Sequence, residues 1–315
     1  MRILIAYDGS ECANTSIDGL QRAGLPARDV EALVVSVGEV WLPPPSPDEL
    51  PNDVPVHAPG LKQARERAAR IIEVAQRLAE SGSERVQRLF AHWKVDHDAR
   101  NGSPPFEILN CAREWQPELI VVGWHGHTAV GRFVLGSVSQ KVLTEASCSV
   151  RIGRATAGSG TSGERIIVGV DGSPGALAAV EAVARRQWTQ GSELRIVVAD
   201  DVMRGNPIWL LVPPIKEFVE EVRTEERSQA EHVAIEAVKE LRAQLEDKSI
   251  TLSSVVDSGD PKQILVRHAE EFGADCIFTG ATGFSNRFER FVLGSVSAAV
   301  AARAHCSVEV VRKQQ

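Results

Sequence analysis

Short apolar runs separated by longer mixed segments set the rhythm of this chain. Residues near 2–7, 31–37, 91–98, 119–122 and 148–152 read as strands, and those near 11–23, 61–81, 105–115 and 137–146 carry the wider apolar spacing of helices. The same order returns with strands near 165–170, 193–199, 250–257, 275–279 and 306–311. Strands alternating with helices predict a parallel α/β sheet, here drawn twice.

Particular residues repeat along with the rhythm. Arg2-Ile-Leu-Ile-Ala-Tyr-Asp8-Gly9-Ser10 returns as Arg165-Ile-Ile-Val-Gly-Val-Asp171-Gly172-Ser173, and Cys148-Ser149-Val150 as Cys306-Ser307-Val308. Gly102 to Leu109 matches Gly259 to Leu265. The offset stays between 156 (Leu109 to Leu265) and 163 (Asp8 to Asp171) residues, so a whole domain is duplicated; a solenoid would need several repeats of about 20–50 residues. The expected units are 1–152 and 164–315, joined by the Gly/Ser/Thr tract 153–163, a composition that behaves as flexible coil.

At 315 residues, each half can bury about 68–70% of its unfolded surface with no metal or disulfide to hold it. The net charge of −7 and pI near 5.7 argue against a nonspecific nucleic-acid or anionic-membrane surface. Arg and Lys interleaved with acids along the helices read as solvated faces. Five cysteines with no C-x-x-C suggest a reducing compartment, and no run reaches 18 apolar residues. The chain opens directly on a strand pattern, and a cytoplasmic protein is expected. The proline-rich stretch from Trp41 to Gly60 forbids a regular helix or central strand; it reads as a surface excursion or as a lid or partner contact, with a shorter, more apolar counterpart at 205–214.

The chemistry lies in a spaced-glycine loop, Gly123-Trp-His-Gly126, nine residues, then Gly136-Ser137-Val138-Ser139. It returns as Gly280-Ala-Thr-Gly283, ten residues, then Gly294-Ser295-Val296-Ser297. Each loop follows an apolar strand and leads into a helix, whose free N–H groups and positive dipole end favour an anion. Glycine lets backbone approach phosphate oxygens where a Cβ would block. Ser137 and Ser139 add hydroxyl donors, or Ser137 caps the helix. Asp8 and Asp171 end the first strand of each half, either as Asx turns or as acceptors for ribose hydroxyls, adenine or a magnesium ion. These elements all end at strand carboxyl edges, where open α/β sheets bind ligands. His92, His97, His125 and His127 lack ligand spacing, so no metal site is expected, and His125 reads as a loop histidine near phosphate.

With Asp-Gly-Ser and the Cys-Ser-Val ending beside it, the G-x2-G-x9-G-S loop of the first half, repeated with one more residue in the second, resembles the ATP-binding branch of the universal stress protein family along essentially the whole chain. The resemblance implies two homologous doubly wound domains, each a five-stranded parallel sheet of order 3-2-1-4-5 with helices on both faces, paired through their fifth strands. It implies Ala6 and Asp8 beside ribose and adenine, Val37 at the adenine edge, Val122 and Gly123 below the sugar, and Gly126, Gly136, Ser137, Val138 and Ser139 around the phosphates. The matching positions in the second half are Asp171, Gly280, Gly283, Gly294, Ser295, Val296 and Ser297. That half departs in its one-residue-longer loop and in Ala199 where the first half has Val37. The implied ligand is ATP, with ADP or AMP as alternatives and magnesium as companion, and the implied partners are an unidentified protein and a second copy.

No Walker A sequence is present, and no carboxylate or histidine is clearly placed to activate water, so no catalytic residue is assigned and at most slow hydrolysis is expected. Two rivals stand beside a nucleotide-binding stress-response regulator: a nucleotide-free interaction scaffold, and a nucleotidyl-transferring enzyme, whose H-x-G-H signature His125-Gly126-His127 does not match.

Overall fold

A computed structural model of the chain describes residues 1–40, 59–125, 135–155, 163–200, 216–245, 249–282 and 293–313. The first half runs β1 (Arg2–Ala6), α1 (Glu11–Asp18), a 3-10 turn (Gly19–Arg22), β2 (Glu31–Gly38), α2 (Pro59–Leu89), β3 (Lys94–Asn101), α3 (Pro104–Trp115), β4 (Leu119–Gly123), α4 (Ser137–Glu145) and β5 (Ser149–Gly153). The second runs β6 (Arg165–Val170), α5 (Pro174–Ala184), β7 (Glu193–Asp200), α6 (Lys216–Gln244), β8 (Thr251–Ser258), α7 (Pro261–Phe272), β9 (Cys276–Gly280), α8 (Ser295–Arg303) and β10 (Ser307–Val311).

The strands form one ten-stranded sheet in the order β3-β2-β1-β4-β5-β10-β9-β6-β7-β8. Within each half every neighbour is parallel, giving the order 3-2-1-4-5 twice. At the centre β5 and β10 pair antiparallel, so the halves meet through their fifth strands as the resemblance implies. A parallel sheet is buried on both faces, which is why its strands read as continuous apolar runs. On one face Leu4, Val35, Ile120 and Val150 join α3 and α4, and the same core continues through Val308, Val310 and Ile277 to α7 and α8. On the other face the halves keep separate cores, Ile3, Ile5, Val34, Ile17 and Val86 in one and Ile166, Val168, Ile196, Val180 and Leu241 in the other. The backs of the halves also touch: Arg22 holds Asp275 through Nη2 at 2.7 Å and Nε at 3.1 Å, and Gln187 N donates to Gly24 O at 2.8 Å.

Two elements differ from the sequence expectation. β3 occupies 94–101 and not 91–98, because Trp93 belongs to a turn: its ring stacks on Phe90 at 3.8 Å and its Nε1 donates to Pro26 O at 2.9 Å. α2 runs to Leu89 and not 81, straight through Ser81-Gly82-Ser83. A Cβ at Gly82 would lie 2.8 Å from the Tyr7 ring and 2.9 Å from Val34, so this glycine is a packing notch that lets the helix lie close on the sheet. The excursions at 41–58 and 201–215 lie outside the described residues, and residues 59 and 60 already open α2.

Candidate functional site

Asp8 and Asp171 do the same thing in each half. Asp8 Oδ1 accepts from Ser10 N at 3.0 Å, and Asp171 Oδ1 accepts from Ser173 N at 3.0 Å. Between them Gly9 and Gly172 sit at φ 77° and 78°, left-handed backbone that strains residues with a Cβ. Ser10 and Ser173 then cap α1 and α5, their hydroxyl oxygens accepting from Ala13 N at 3.1 Å and Ala176 N at 3.2 Å. The Asx turn foreseen for these aspartates is therefore present, and it uses Oδ1 of each.

The spaced-glycine loops leave their strands beside these turns. In the first half Gly123 ends β4, and its missing Cβ would stand 3.2 Å from the Cys12 carbonyl carbon in α1. In the second half Gly280 ends β9 against Gly175, where the same atom would stand 2.3 Å away. The helix start therefore lies closer to the strand end in the second half, an approach that Gly175 permits where the first half has Cys12.

Gly126 and Gly283 lie outside the described residues, and the chain resumes at Leu135 and Leu293. Gly136 is the N-cap of α4 and Gly294 that of α8. Ser137 is thus the first helical residue and not the cap. Each glycine N–H is already engaged, Gly136 N donating to Trp124 O at 2.9 Å and Gly294 N to Ala281 O at 2.7 Å. That leaves the N–H groups of the first helical turn, on Ser137, Val138 and Ser139 and on Ser295, Val296 and Ser297, as the donors a helix start presents to an anion. Ser139 and Ser297 turn inward, donating to Gly123 O at 2.6 Å and Gly280 O at 2.5 Å. Their hydroxyls tie each helix start to its strand end, and exposed Ser137 and Ser295 are the ones turned to solvent.

Apolar side chains form the floor. Ala6, Val37, Trp124 and Val138 are partly buried against the shared core, which also includes Val122. The aligned second-half positions are Gly169 for Ala6, Ala199 for Val37, Thr279 for Val122 and Ala281 for Trp124. Each is smaller or more polar, and the Thr279 hydroxyl is buried with no hydrogen-bond partner. His125 is buried, its ring tilted on Trp124 at 4.3 Å. Among the described residues no group of three His, Cys, Asp or Glu side chains converges on a metal-sized site.

Sequence reasoning passed over Cys12 and Trp124, which touch this site. It also passed over the arginines of the seam. Cys148 and Cys306, which do stand out in sequence, are buried, and burial pushes the Cys148 thiol up to about 11 and that of Cys306 higher. They are inert core thiols on this geometry.

Comparison with known proteins agrees with this architecture. The profile of the universal stress protein family matches residues 1–154 and again 163–312. A universal stress protein of Thermus aquaticus is 36% identical over 152 residues, covering 48% of this chain and 97% of the relative. One from Bacillus subtilis is 31% identical over 164 residues, covering 49% of this chain and 98% of the relative. Among solved structures, a universal stress protein from Archaeoglobus fulgidus spans 99% of this chain and 98% of its own, with a TM-score of 0.59 at 19% identity, a likeness of fold.

Proposed function

The chain belongs to the universal stress protein family, twice over, and on that premise we propose that its first half binds an adenine nucleotide and makes the protein a nucleotide-dependent regulatory module. The observation that carries this reading is the convergence, at one carboxyl edge, of an apolar floor, the Asp8 turn and the open first turn of α4. The floor suits a base, and Asp8 stands where a ribose hydroxyl needs an acceptor. The N–H groups of Ser137, Val138 and Ser139, with the Ser137 hydroxyl, suit phosphate oxygens. Gly126, outside the described residues, is assigned with them.

ATP is the preferred ligand, because a triphosphate makes the fullest use of a helix start, and ADP and AMP are weaker alternatives. Since the described residues supply no carboxylate cluster, magnesium is held by the phosphates in this reading. No residue is assigned to catalysis. The functional units are taken as 1–152 and 164–315. All five cysteines are free, which accords with a reducing, cytoplasmic setting. Release of bound small molecules from freshly purified protein by denaturation, identified by mass and counted per chain, tests the proposal. About one adenine nucleotide per chain is expected; a chain that carries none and fails to bind labelled ATP at equilibrium is the interaction scaffold instead.

A further inference from the structure

The two fifth strands align as Cys148-Ser-Val-Arg151-Ile152 and Cys306-Ser-Val-Glu309-Val310, so Arg151 and Glu309 hold the same place in the repeat. The strand register sets Val308 opposite Ile152, Glu309 opposite Arg151 and Val310 opposite Val150. The pseudo-two-fold axis therefore passes through the Arg151–Glu309 pair, and this is the position that meets its own copy whenever two like halves pair. Two first halves would bring arginine onto arginine. Two second halves would bring glutamate onto glutamate.

Neither charge reaches water. Arg151 Nη1 lies 3.2 Å from Glu309 Oε2, with both side chains 1% exposed, and Arg186 takes the other glutamate oxygen. Arg151 Nη1 also donates to Cys276 Sγ at 3.2 Å, while its Nε and Nη2 are buried without a partner. A buried ion pair with unmet donors is a weak source of stability, because desolvation offsets the attraction. It discriminates, because two arginines in the same place have the desolvation cost and no attraction, while two glutamates keep the Arg186 of their own half but lose the second arginine.

We propose that Arg151 and Glu309 make the fifth-strand edge selective for its opposite. Each half favours an edge bearing the complementary charge at this one position over its own kind. The partner this surface fits is the unlike half, from the same chain or, by exchange of halves, from a second copy of the chain. The apolar residues around the axis are alike in both halves and cannot make this choice. The tether raises the local concentration of the correct partner, and the charge pair rejects the wrong one.

A charge exchange in the intact chain tests this. In an R186L background, where no second arginine meets the exchanged pair, Arg151→Glu and Glu309→Arg should each lower the melting temperature by on the order of 10 °C, and the double exchange R151E/E309R should recover most of that loss. A double variant no better than the worse single one overturns the proposal. As a second reading, a protease site is placed within 156–162, the chain is cut, and the unfolded mixture is refolded and weighed by native mass spectrometry. Wild type should give unlike pairs alone, whereas R151M/R186L/E309L should add like pairs in about their statistical share. Like pairs in the wild type, or none in the apolar variant, also overturn it.

Discussion

Arg154 and Arg312 hold the same place in the two repeats, one residue past the end of each fifth strand, and each crosses to the other half's last helix. Arg154 Nη2 donates to Ala301 O in α8 at 2.7 Å, and Arg312 Nη2 to Leu143 O in α4 at 2.6 Å. Their backbones follow the same symmetry, Arg154 N donating to Ser307 Oγ and Arg312 N to Ser149 Oγ, both at 3.1 Å. Carbonyls near a helix C-terminus lack intrahelical partners and carry the negative dipole end, so a cation there satisfies both. The helices so clasped are the two whose N-termini face the candidate sites.

The first prediction concerns this clasp. Arg312→Ala removes a charge-assisted bond to a partly buried carbonyl, which should cost about 1.5–3 kcal/mol. That corresponds to a fall of roughly 3–12 °C in the midpoint of unfolding for a chain of this class. Arg154→Ala should cost at least as much, because the guanidinium also lies over the Trp124 ring, 5.7 Å from its centre. Thermal unfolding followed by circular dichroism checks both, and changes below about 1 °C would show that the clasp carries no stability.

The second concerns Gly136. Its φ of −60° suits any residue, and an added Cβ would find its nearest neighbours at 3.4 Å, the Cα of His125 and the carbonyl oxygen of Trp124. Gly136→Ala should therefore leave the melting temperature within a few degrees. In the proposed complex that methyl group stands beside the phosphates, so affinity for ATP should fall tenfold or more, and Gly136→Val should abolish binding. Calorimetric titration of the folded variants measures this; wild-type affinity in both would remove the phosphates from this helix start.

How much of this was legible in the sequence depends on how local each signal was. The duplication, the parallel strands and the loop-to-helix layout were legible because apolar runs and glycine spacing are written in consecutive residues. β3 was not, because it is an edge strand carrying Lys94, Asp96, Asp98 and Arg100, and the apolar Phe90 and Trp93 just before it drew the boundary too early. The end of α2 was misjudged because Ser-Gly-Ser resembles a stop, whereas Gly82 is matched to Tyr7 and Val34, far away in sequence. The seam arginines were hardest. A lone arginine in a chain reads as solvated, and Arg151 is buried only because a glutamate on the other half's fifth strand comes to lie opposite it. At the site, the serines looked equivalent in sequence, and only the geometry separates Ser137 from inward-facing Ser139.

Cys12 supplies a third prediction. It is partly exposed and sits in the first turn of α1 beside Gly123, whereas Cys111, Cys148, Cys276 and Cys306 are buried. A thiol reagent applied to the native protein should modify Cys12 alone. Burial raises this thiol's pKa, with the nearby charges of Asp8 and Glu11 adding to the effect, so the thiolate is scarce at neutral pH. The rate should keep climbing as pH rises past the ordinary thiol range. Saturating ATP should slow it several-fold, measured by mass after timed quenching; equal rates with and without nucleotide would separate Cys12 from the site.

The last prediction is that the chain holds one strong nucleotide site, in its first half. Three features of the second half act in the same direction. Its loop from Gly283 to Gly294 is one residue longer than that from Gly126 to Gly136, which shifts donors that must meet phosphate within hydrogen-bond tolerance. Its floor replaces Val37 by Ala199 and Trp124 by Ala281, taking away apolar area that a base would cover at about 25 cal/mol per Å². Its helix start at Gly175 lies so near the segment leaving β9 that a Cβ there would meet Thr282 O at 2.1 Å. Losing two charge-assisted bonds at roughly 1.5–3 kcal/mol each weakens affinity on the order of a hundredfold or more. Against this, α8 keeps Gly294-Ser295-Val296-Ser297 in the same cap geometry as α4, with φ −63° and ψ 144° at Gly294, so a lone phosphate could still be held. Titration of wild type should give one tight event per chain, lost in Gly136→Val and retained in Gly294→Val. Two equal events would show that the longer loop and the smaller floor are absorbed without loss.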